Sequence, residues 1–124
     1  ERGVVMDMRC MHDLQFRTDQ NHDGVLEAGA GATWSEAIAY LDRFGYSPRT
    51  MQSYSSFSIG GTLSVNAHGI TTDFAIAESV LAFRLVDARG EVLVCSRDSP
   101  PGTPERTLFG LALGGFGLFG VITH

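Results

Sequence analysis

The chain has 124 residues, of which 44% are hydrophobic and 19% charged, and it carries a formal net charge of −5. This composition predicts one folded domain with its own core and excludes a disordered chain. The acidic balance, without a visible basic face, argues against nucleic acid as a partner, and no apolar run reaches the roughly 18 residues of a membrane-spanning helix.

The first 30 residues predict strands. The run 4–8 is short and apolar and suits a strand. The segments 14–17 and 24–28 suit two strands of a hairpin, joined by a turn over 19–24 that ends in Asp-Gly, a strong hairpin signal.

A helix is predicted next. Thr33 can cap it, and Glu36 three residues on completes a capping box. Gly45 is a suitable stop for this helix, and Pro48 lies beyond it. The expected apolar face recurs at helical spacing and consists of Trp34, Ala37, Ile38 and Leu41.

The second half of the chain predicts a loop over 49–58, then a short helix or irregular stretch from the paired glycines to Gly69. The segments 80–86 and 91–95 form the clearest hairpin signal, around the turn residues 87–90. Thr103 followed by Pro104 indicates the start of a helix that ends at Gly114-Gly115, and a terminal strand follows. Hairpins with two or three flanking helices and no internal repeat predict an α+β fold with a mostly antiparallel sheet.

The two ends of the sequence and its two cysteines give expectations about the whole protein, its location and its thiols. The chain starts at Glu1, and 120–124 read as a strand just beginning, so we expect it to be part of a longer protein. No secretory leader is seen, which favours a cytoplasmic location. Cys10 and Cys95 lie outside any CxxC pair and are expected to be ordinary buried thiols rather than a zinc or redox site.

Two motifs have the wrong context for the sites they suggest. Residues 19–24 copy the start of a calcium loop, but the position that needs the bidentate Glu holds Ala30, so a hairpin turn is favoured. Residues 115–120 match GxGxxG, but a predicted helix precedes them and a strand follows. Because a dinucleotide-binding Rossmann turn needs the reverse order, a tight helix-to-strand connection is favoured.

The segment 58–69, Ser-Ile-Gly-Gly-Thr-Leu-Ser-Val-Asn-Ala-His-Gly, carries the most chemistry. Adjacent glycines let backbone N–H groups approach an anion closely, and Ser58, Thr62 and Ser64 add hydroxyl donors, so a diphosphate could be held without lysine. A solvated Gly-Gly turn is the alternative on pattern alone. His68 could contact a ligand, act as a base or stabilise a turn, and without a second His or Cys nearby it does not indicate a metal.

Four ordered segments carry a resemblance to a known family: 58–69, the hairpin 87–92, Leu-Phe at 108–109, and Gly-Gly-Phe-Gly-Leu-Phe-Gly-Val-Ile-Thr at 114–123. Together they resemble the PCMH-type FAD-binding domain of the vanillyl-alcohol oxidase and p-cresol methylhydroxylase flavoproteins. Relatives in that family include cytokinin dehydrogenases, sugar-lactone oxidases and alditol oxidases. The resemblance covers most of the chain, including 25–31 and the helix after it.

The resemblance implies that residues 1–124 form one α+β subdomain, the second of two between which FAD lies. Gly60 and Gly61 would lie against the pyrophosphate, with Ser58 and Ser64 hydrogen-bonded to it or to the ribityl chain. The other expected cofactor contacts are Ser53, Ile59, Thr62, Asn66, His68 and Gly69, and, at the adenosine end, Val121 and Ile122.

The resemblance also implies what other segments supply. The family's first subdomain carries an Arg-Gly and a Gly-His-Ser type loop, often with the histidine bonded to the flavin, and no such segment occurs in this sequence. His68 belongs to a different motif. No catalytic residue and no metal ligand is assigned to this chain, and a substrate domain is expected elsewhere.

The implied function is that of an FAD-linked oxidoreductase, an oxidase or a dehydrogenase, that takes hydride from a C–H or CH–OH group of a small alcohol, sugar or lactone. The chain alone is expected to be inactive and to bind FAD weakly, and no nucleic-acid or membrane partner is expected. The alternative is a non-enzymatic α+β binding module with a glycine-rich phosphate nest. The substrate, covalent attachment of the flavin and the oligomeric state stay open.

Overall fold

The computed structural model describes residues 3–18, 23–70 and 75–124. In chain order its elements are β1 (Leu14–Thr18), β2 (Gly24–Ala28), α1 (Trp34–Asp42), α2 (Ile59–Ser64), α3 (Ile76–Ser79), β3 (Ala82–Val86), β4 (Val92–Ser96), α4 (Pro104–Ala112) and β5 (Val121–Ile122). Strands and helices are not strictly alternated, and the strand pairs are antiparallel, which confirms the α+β prediction.

The strands form two small sheets. β1 and β2 pair as the predicted antiparallel hairpin, with Leu14 opposite Ala28 and Thr18 opposite Gly24. The turn predicted over 19–24, and the calcium loop rejected there, fall largely outside the described residues. The second sheet has the order β4-β3-β5, so the C-terminal strand returns to the far side of β3.

The predicted hairpin of β3 and β4 is closed by side-chain hydrogen bonds in its turn. The Asp87 carboxylate accepts the backbone N–H groups of Arg89 at 2.8 Å and Glu91 at 3.0 Å. The Glu91 amide contributes most to a lowered pKa of Asp87. Gly90 has φ of +84°, a conformation that suits glycine.

The hydrophobic core lies between the three-stranded sheet and the helices. Phe83 and Leu85 alternate inward along β3, and α4 covers the sheet by packing on β4. The Phe83 and Phe109 rings stack with centroids 5.5 Å apart. The same core takes in Trp34, Leu63 and Ile122, so α1, α2 and β5 share it with the sheet.

Helix α1 starts as the sequence predicts. Thr33 accepts the Glu36 amide, and the Glu36 carboxylate accepts the Thr33 amide at 2.7 Å, so both halves of the capping box form. The buried face is narrower than predicted: Trp34, Ala37 and Leu41 are buried, whereas Ile38 is 37% exposed.

Two further expectations are wrong, and one short helix lies outside the prediction. Residues 4–8 form no strand: within the described ranges no segment pairs with them, and Val4 and Val5 are almost fully exposed. A strand needs a partner as well as an apolar run. Cys10 is exposed, whereas Cys95 is buried as expected. Helix α3 was not predicted, because one turn is too short to show a helical period.

None of the helices in the described ranges is long and apolar enough to cross a membrane.

Candidate functional site

One cleft of about 260 Å³ is lined mainly by four parts of the chain: the segment 29–32, α2, the loop 113–120 and β5. Six of the twelve residues predicted to contact a cofactor line it together. They are Ser58, Gly60, Gly61, Ser64, Val121 and Ile122. These predicted residues form two groups more than 50 positions apart in the chain, and the fold brings both groups to one cavity.

The N-terminal turn of α2 is fixed by backbone hydrogen bonds to the neighbouring segment. The Ile59 amide donates to the Ala32 carbonyl at 2.7 Å, and the Gly60 amide donates to the Ala30 carbonyl at 2.9 Å. A β-carbon on Gly60 would stand 2.6 Å from the Ala30 β-carbon. Gly60 therefore serves the close packing of α2 on this segment, and its amide is not available to an anion.

Gly61 differs from Gly60 in both respects. It is exposed, and a β-carbon there would meet only the Ser58 hydroxyl, at 2.9 Å. Its amide makes one long hydrogen bond, 3.3 Å, to the Ser58 Oγ. Of the two adjacent glycines, Gly61 is thus the one whose backbone faces open space in the cleft and can donate to a ligand.

Ile59 and Thr62 support the cleft from beneath rather than line it. Both are buried. The Thr62 hydroxyl donates to the Ile59 carbonyl at 2.7 Å and accepts the Trp34 indole N–H at 3.1 Å. The donor and one of the two acceptor positions of this hydroxyl are thus used inside the protein, and the bond to Trp34 ties α2 to α1.

The opposite wall is the loop 113–120, and it is docked on the end of α2. The Gly114 amide donates to the Leu63 carbonyl at 3.0 Å, and the Phe116 amide donates to the Ser64 carbonyl at 2.9 Å. On the other side, the Ala30 amide donates to the Thr123 carbonyl at 2.9 Å, which holds β5 against the segment 29–32. The walls of the cleft are therefore joined by main-chain hydrogen bonds.

Four predicted contacts lie outside this cleft. Ser53 is exposed in the loop before α2. Asn66 follows α2 with φ of +45° and borders a second cleft. His68 is held locally, with Nδ1 3.0 Å from the Gly69 carbonyl oxygen, and Gly69 is buried.

Six residues that sequence reasoning did not assign also line the cleft: Met8, Ala30, Ala112, Gly117, Phe119 and Gly120. Two of them, Gly117 and Gly120, belong to the GxGxxG pattern of 115–120, which is the sequence signal that could have identified them. That stretch is a helix-to-strand connection, as predicted, in which Gly117 and Gly120 have φ of +75° and +142°. A β-carbon on Gly120 would stand 2.5 Å from the Val86 carbonyl oxygen, so the loop reaches β3 only with glycine there.

The cleft offers hydroxyls, backbone groups and apolar surface. Among the described residues that line it, none carries an ionisable side chain. No group of three or more potential metal ligands occurs within the ranges 3–18, 23–70 and 75–124. The arrangement can bind and enclose a ligand through hydrogen bonds, but its own side chains cannot take up a proton.

The chain matches the profile of a known protein family. The profile of a family described as "FAD binding domain" matches residues 1–96, which is most of the chain. The matched part includes α1, α2 and the hairpin of β3 and β4.

Similar curated proteins are named as cytokinin dehydrogenases. Cytokinin dehydrogenase 2 of Arabidopsis thaliana is 32% identical over 124 residues, and the alignment covers 98% of this chain. Cytokinin dehydrogenases 6 and 3 of Oryza sativa subsp. japonica are 31% and 33% identical, again over 98% of this chain. The chain spans about a quarter of the length of these relatives, 23% to 24%.

Proposed function

Because this chain belongs to the PCMH-type FAD-binding domains of the vanillyl-alcohol oxidase and p-cresol methylhydroxylase flavoprotein family, we propose that the cleft beside α2 holds the pyrophosphate part of the cofactor. The cofactor of this domain is FAD. The single observation that carries the proposal is the meeting of Ser58, Gly61 and Ser64 with Val121 and Ile122 in one cavity.

The residues of the cleft fit a diphosphate. The Gly61 amide is only weakly engaged inside the protein, and no β-carbon blocks access to it. The Ser58 and Ser64 hydroxyls border the same space. Backbone amides and hydroxyls bind phosphate oxygens in many sites that lack lysine or arginine. The fit uses Gly61 rather than both glycines, because the Gly60 amide already donates to Ala30.

The chain's own part in the reaction is to bind and orient. Ser58, Gly61 and Ser64 would fix the anionic middle of the cofactor. The apolar surfaces of Phe119 and Ile122 border the cavity and would keep water from it. The docked loop 113–120 gives the cleft a rigid second wall, which lowers the entropy cost of ordering a ligand.

In the whole protein, we propose that this domain serves an FAD-linked oxidoreductase that takes hydride from a C–H or CH–OH group of a small substrate. The bound flavin supplies the hydride acceptor, which no side chain can provide. Acid–base groups and the substrate pocket would come from other parts of a longer flavoprotein. The relatives, about four times as long as this chain, support that division.

Two substrate classes are candidates. The family resemblance favours an alcohol, sugar or lactone, whereas the names of the relatives favour a cytokinin. The two are separated by adding each compound to the full-length protein without oxygen and following the loss of oxidised-flavin absorbance. Rapid bleaching by a cytokinin, with none by alcohols, sugars or lactones, would reject the first class.

The test of the cofactor site is Gly61→Asp in the full-length protein. The new carboxylate would enter the cleft beside the Ser58 hydroxyl and repel a diphosphate, so the purified variant should lose most of its flavin absorbance. Gly3→Asp is the matched control, because a β-carbon at Gly3 meets no atom within 4 Å. It should retain flavin like the parent protein. Unchanged flavin content in Gly61→Asp, with normal folding, would remove Gly61 from the site.

The alternative, a non-enzymatic module with a phosphate nest, has less support because the chain belongs to a family of FAD-binding domains. It predicts a colourless full-length protein. A yellow preparation that releases FAD on denaturation would reject it.

A further inference from the structure

A second cleft, of about 530 Å³, lies between α3, the end of β4 and α4. Two arginines line it, Arg97 just after β4 and Arg106 on α4. Phe109 and Leu113 supply an apolar side of the same cavity. It shares no lining residue with the cleft beside α2.

Both arginines are held in place by main-chain acceptors. Arg97 Nη2 donates to the carbonyl oxygens of Ala77 at 2.9 Å and Glu78 at 3.0 Å, at the end of α3. Arg106 Nη1 donates to the carbonyl oxygen of Arg97. Each guanidinium has five N–H donors, so each keeps several that no hydrogen bond within the described ranges uses.

Neither guanidinium has an anionic partner in the part of the chain that the structure describes. No carboxylate oxygen there lies within ion-pair distance of Arg97 or Arg106, although Glu78 borders the same cleft. The chain as a whole carries a net charge of −5. Among the described residues, this cleft therefore holds two oriented arginines without a carboxylate partner, on a chain whose net charge is negative.

We propose that this second cleft binds the phosphate group of a small ligand. A phosphate monoester carries a charge of about −1.5 to −2 at neutral pH, which two guanidinium groups can neutralise. The planar fork of arginine matches phosphate oxygens in a bidentate manner. The apolar side formed by Phe109 and Leu113 would receive the rest of the ligand.

The experiment uses the FAD-loaded full-length protein, so that the cofactor's own phosphate site is filled. Inorganic phosphate is titrated by calorimetry at constant ionic strength, with chloride as the competing anion. We expect saturable binding that weakens about tenfold or more in both Arg97→Gln and Arg106→Gln, since hydrogen bonds to a charged group contribute about 1.5–3 kcal/mol each. Arg89→Gln, at an exposed hairpin turn, is the matched control and should bind phosphate normally.

Loss of structure is separated from loss of the site by two further variants. Arg97→Lys and Arg106→Lys keep the charge but not the fork, and they should weaken binding less than the Gln variants while circular dichroism and melting stay unchanged. Equal phosphate affinity in the parent protein and the Arg97→Gln, Arg106→Gln double variant would overturn the proposal. Absence of saturable binding would also overturn it, as would an acidic peptide that binds this cleft more tightly than phosphate monoesters do.

Discussion

Gly60 and Ala30 touch so closely that a β-carbon on Gly60 would stand 2.6 Å from the β-carbon of Ala30, while the Gly60 amide donates to the Ala30 carbonyl at 2.9 Å. This contact sets the distance between α2 and the segment 29–32, which are two sides of the proposed cofactor cleft. The two adjacent glycines therefore do different things. Gly60 is needed for packing, and Gly61 leaves the cleft open.

Gly60→Ala should destabilise the protein by about 1–3 kcal/mol, because the added methyl group forces α2 away from Ala30. Urea unfolding followed by circular dichroism measures the change. Gly110→Ala is the contrasting substitution: Gly110 lies within α4, and a β-carbon there meets no atom within 4 Å. It should stabilise by about 0.5–1 kcal/mol through helix propensity. Equal effects of the two substitutions would contradict the packing role of Gly60.

The buried hydrogen bond between Trp34 and Thr62 predicts a second effect. Thr62→Val keeps the shape but leaves the Trp34 indole N–H and the Ile59 carbonyl without this hydroxyl, which should cost about 1–3 kcal/mol. In a Trp34→Phe background the N–H is already gone, so the same substitution should cost less. Equal costs in the two backgrounds, measured by urea unfolding, would show that the hydrogen bond contributes nothing.

Local sequence signals predicted most elements and one wall of the cleft. Two local signals each involve residues within five positions of one another, and both form as predicted. They are the capping box of Thr33 and Glu36 and the turn 87–90. The adjacent glycines and hydroxyl side chains of 58–64 predict a glycine-rich binding segment, and this segment borders the cleft. These features depend on near neighbours in the chain.

The remaining features depend on contacts between distant residues. The loop 113–120 becomes a wall because the Gly114 amide bonds to the Leu63 carbonyl, a pairing of residues 51 positions apart that no local pattern displays. The commitment of the Gly60 amide to Ala30 has the same origin. The strand predicted over 4–8 is the opposite case. Its local apolar pattern is present, but no strand among the described residues pairs with it.

The Glu36 carboxylate predicts a pH effect on stability. It accepts the Thr33 backbone N–H at 2.7 Å and the Thr33 hydroxyl at 2.9 Å, and the backbone bond contributes most to lowering the pKa of Glu36 from its ordinary value of 4.5. A carboxyl with a lowered pKa in the folded state adds stability above pH 4.5, and that stability is lost as the pH falls through the lower, folded-state pKa.

Glu36→Gln is the matched variant, because glutamine keeps the acceptor oxygen of a capping box but does not titrate. Urea unfolding at pH 6 and pH 3 should show a smaller loss of stability in the variant than in the parent protein. Other carboxyls with lowered pKa, such as Asp87, are present in both proteins and cancel in the comparison. The same loss in both proteins would show that the Glu36 carboxylate does not contribute.

The family resemblance implies that Asn66 contacts the cofactor, whereas its backbone conformation indicates a structural role after α2. Asn66 lies two residues after the end of α2 and has φ of +45°, and its backbone amide donates to the Leu63 carbonyl at 3.0 Å. In this left-handed conformation Asn66→Ala should destabilise by about 1 kcal/mol, whereas Asn66→Gly should leave stability nearly unchanged. Both variants should keep their FAD when the full-length protein is purified well below its melting temperature. Loss of flavin from a normally stable Asn66→Gly variant would instead establish the side chain as a cofactor contact.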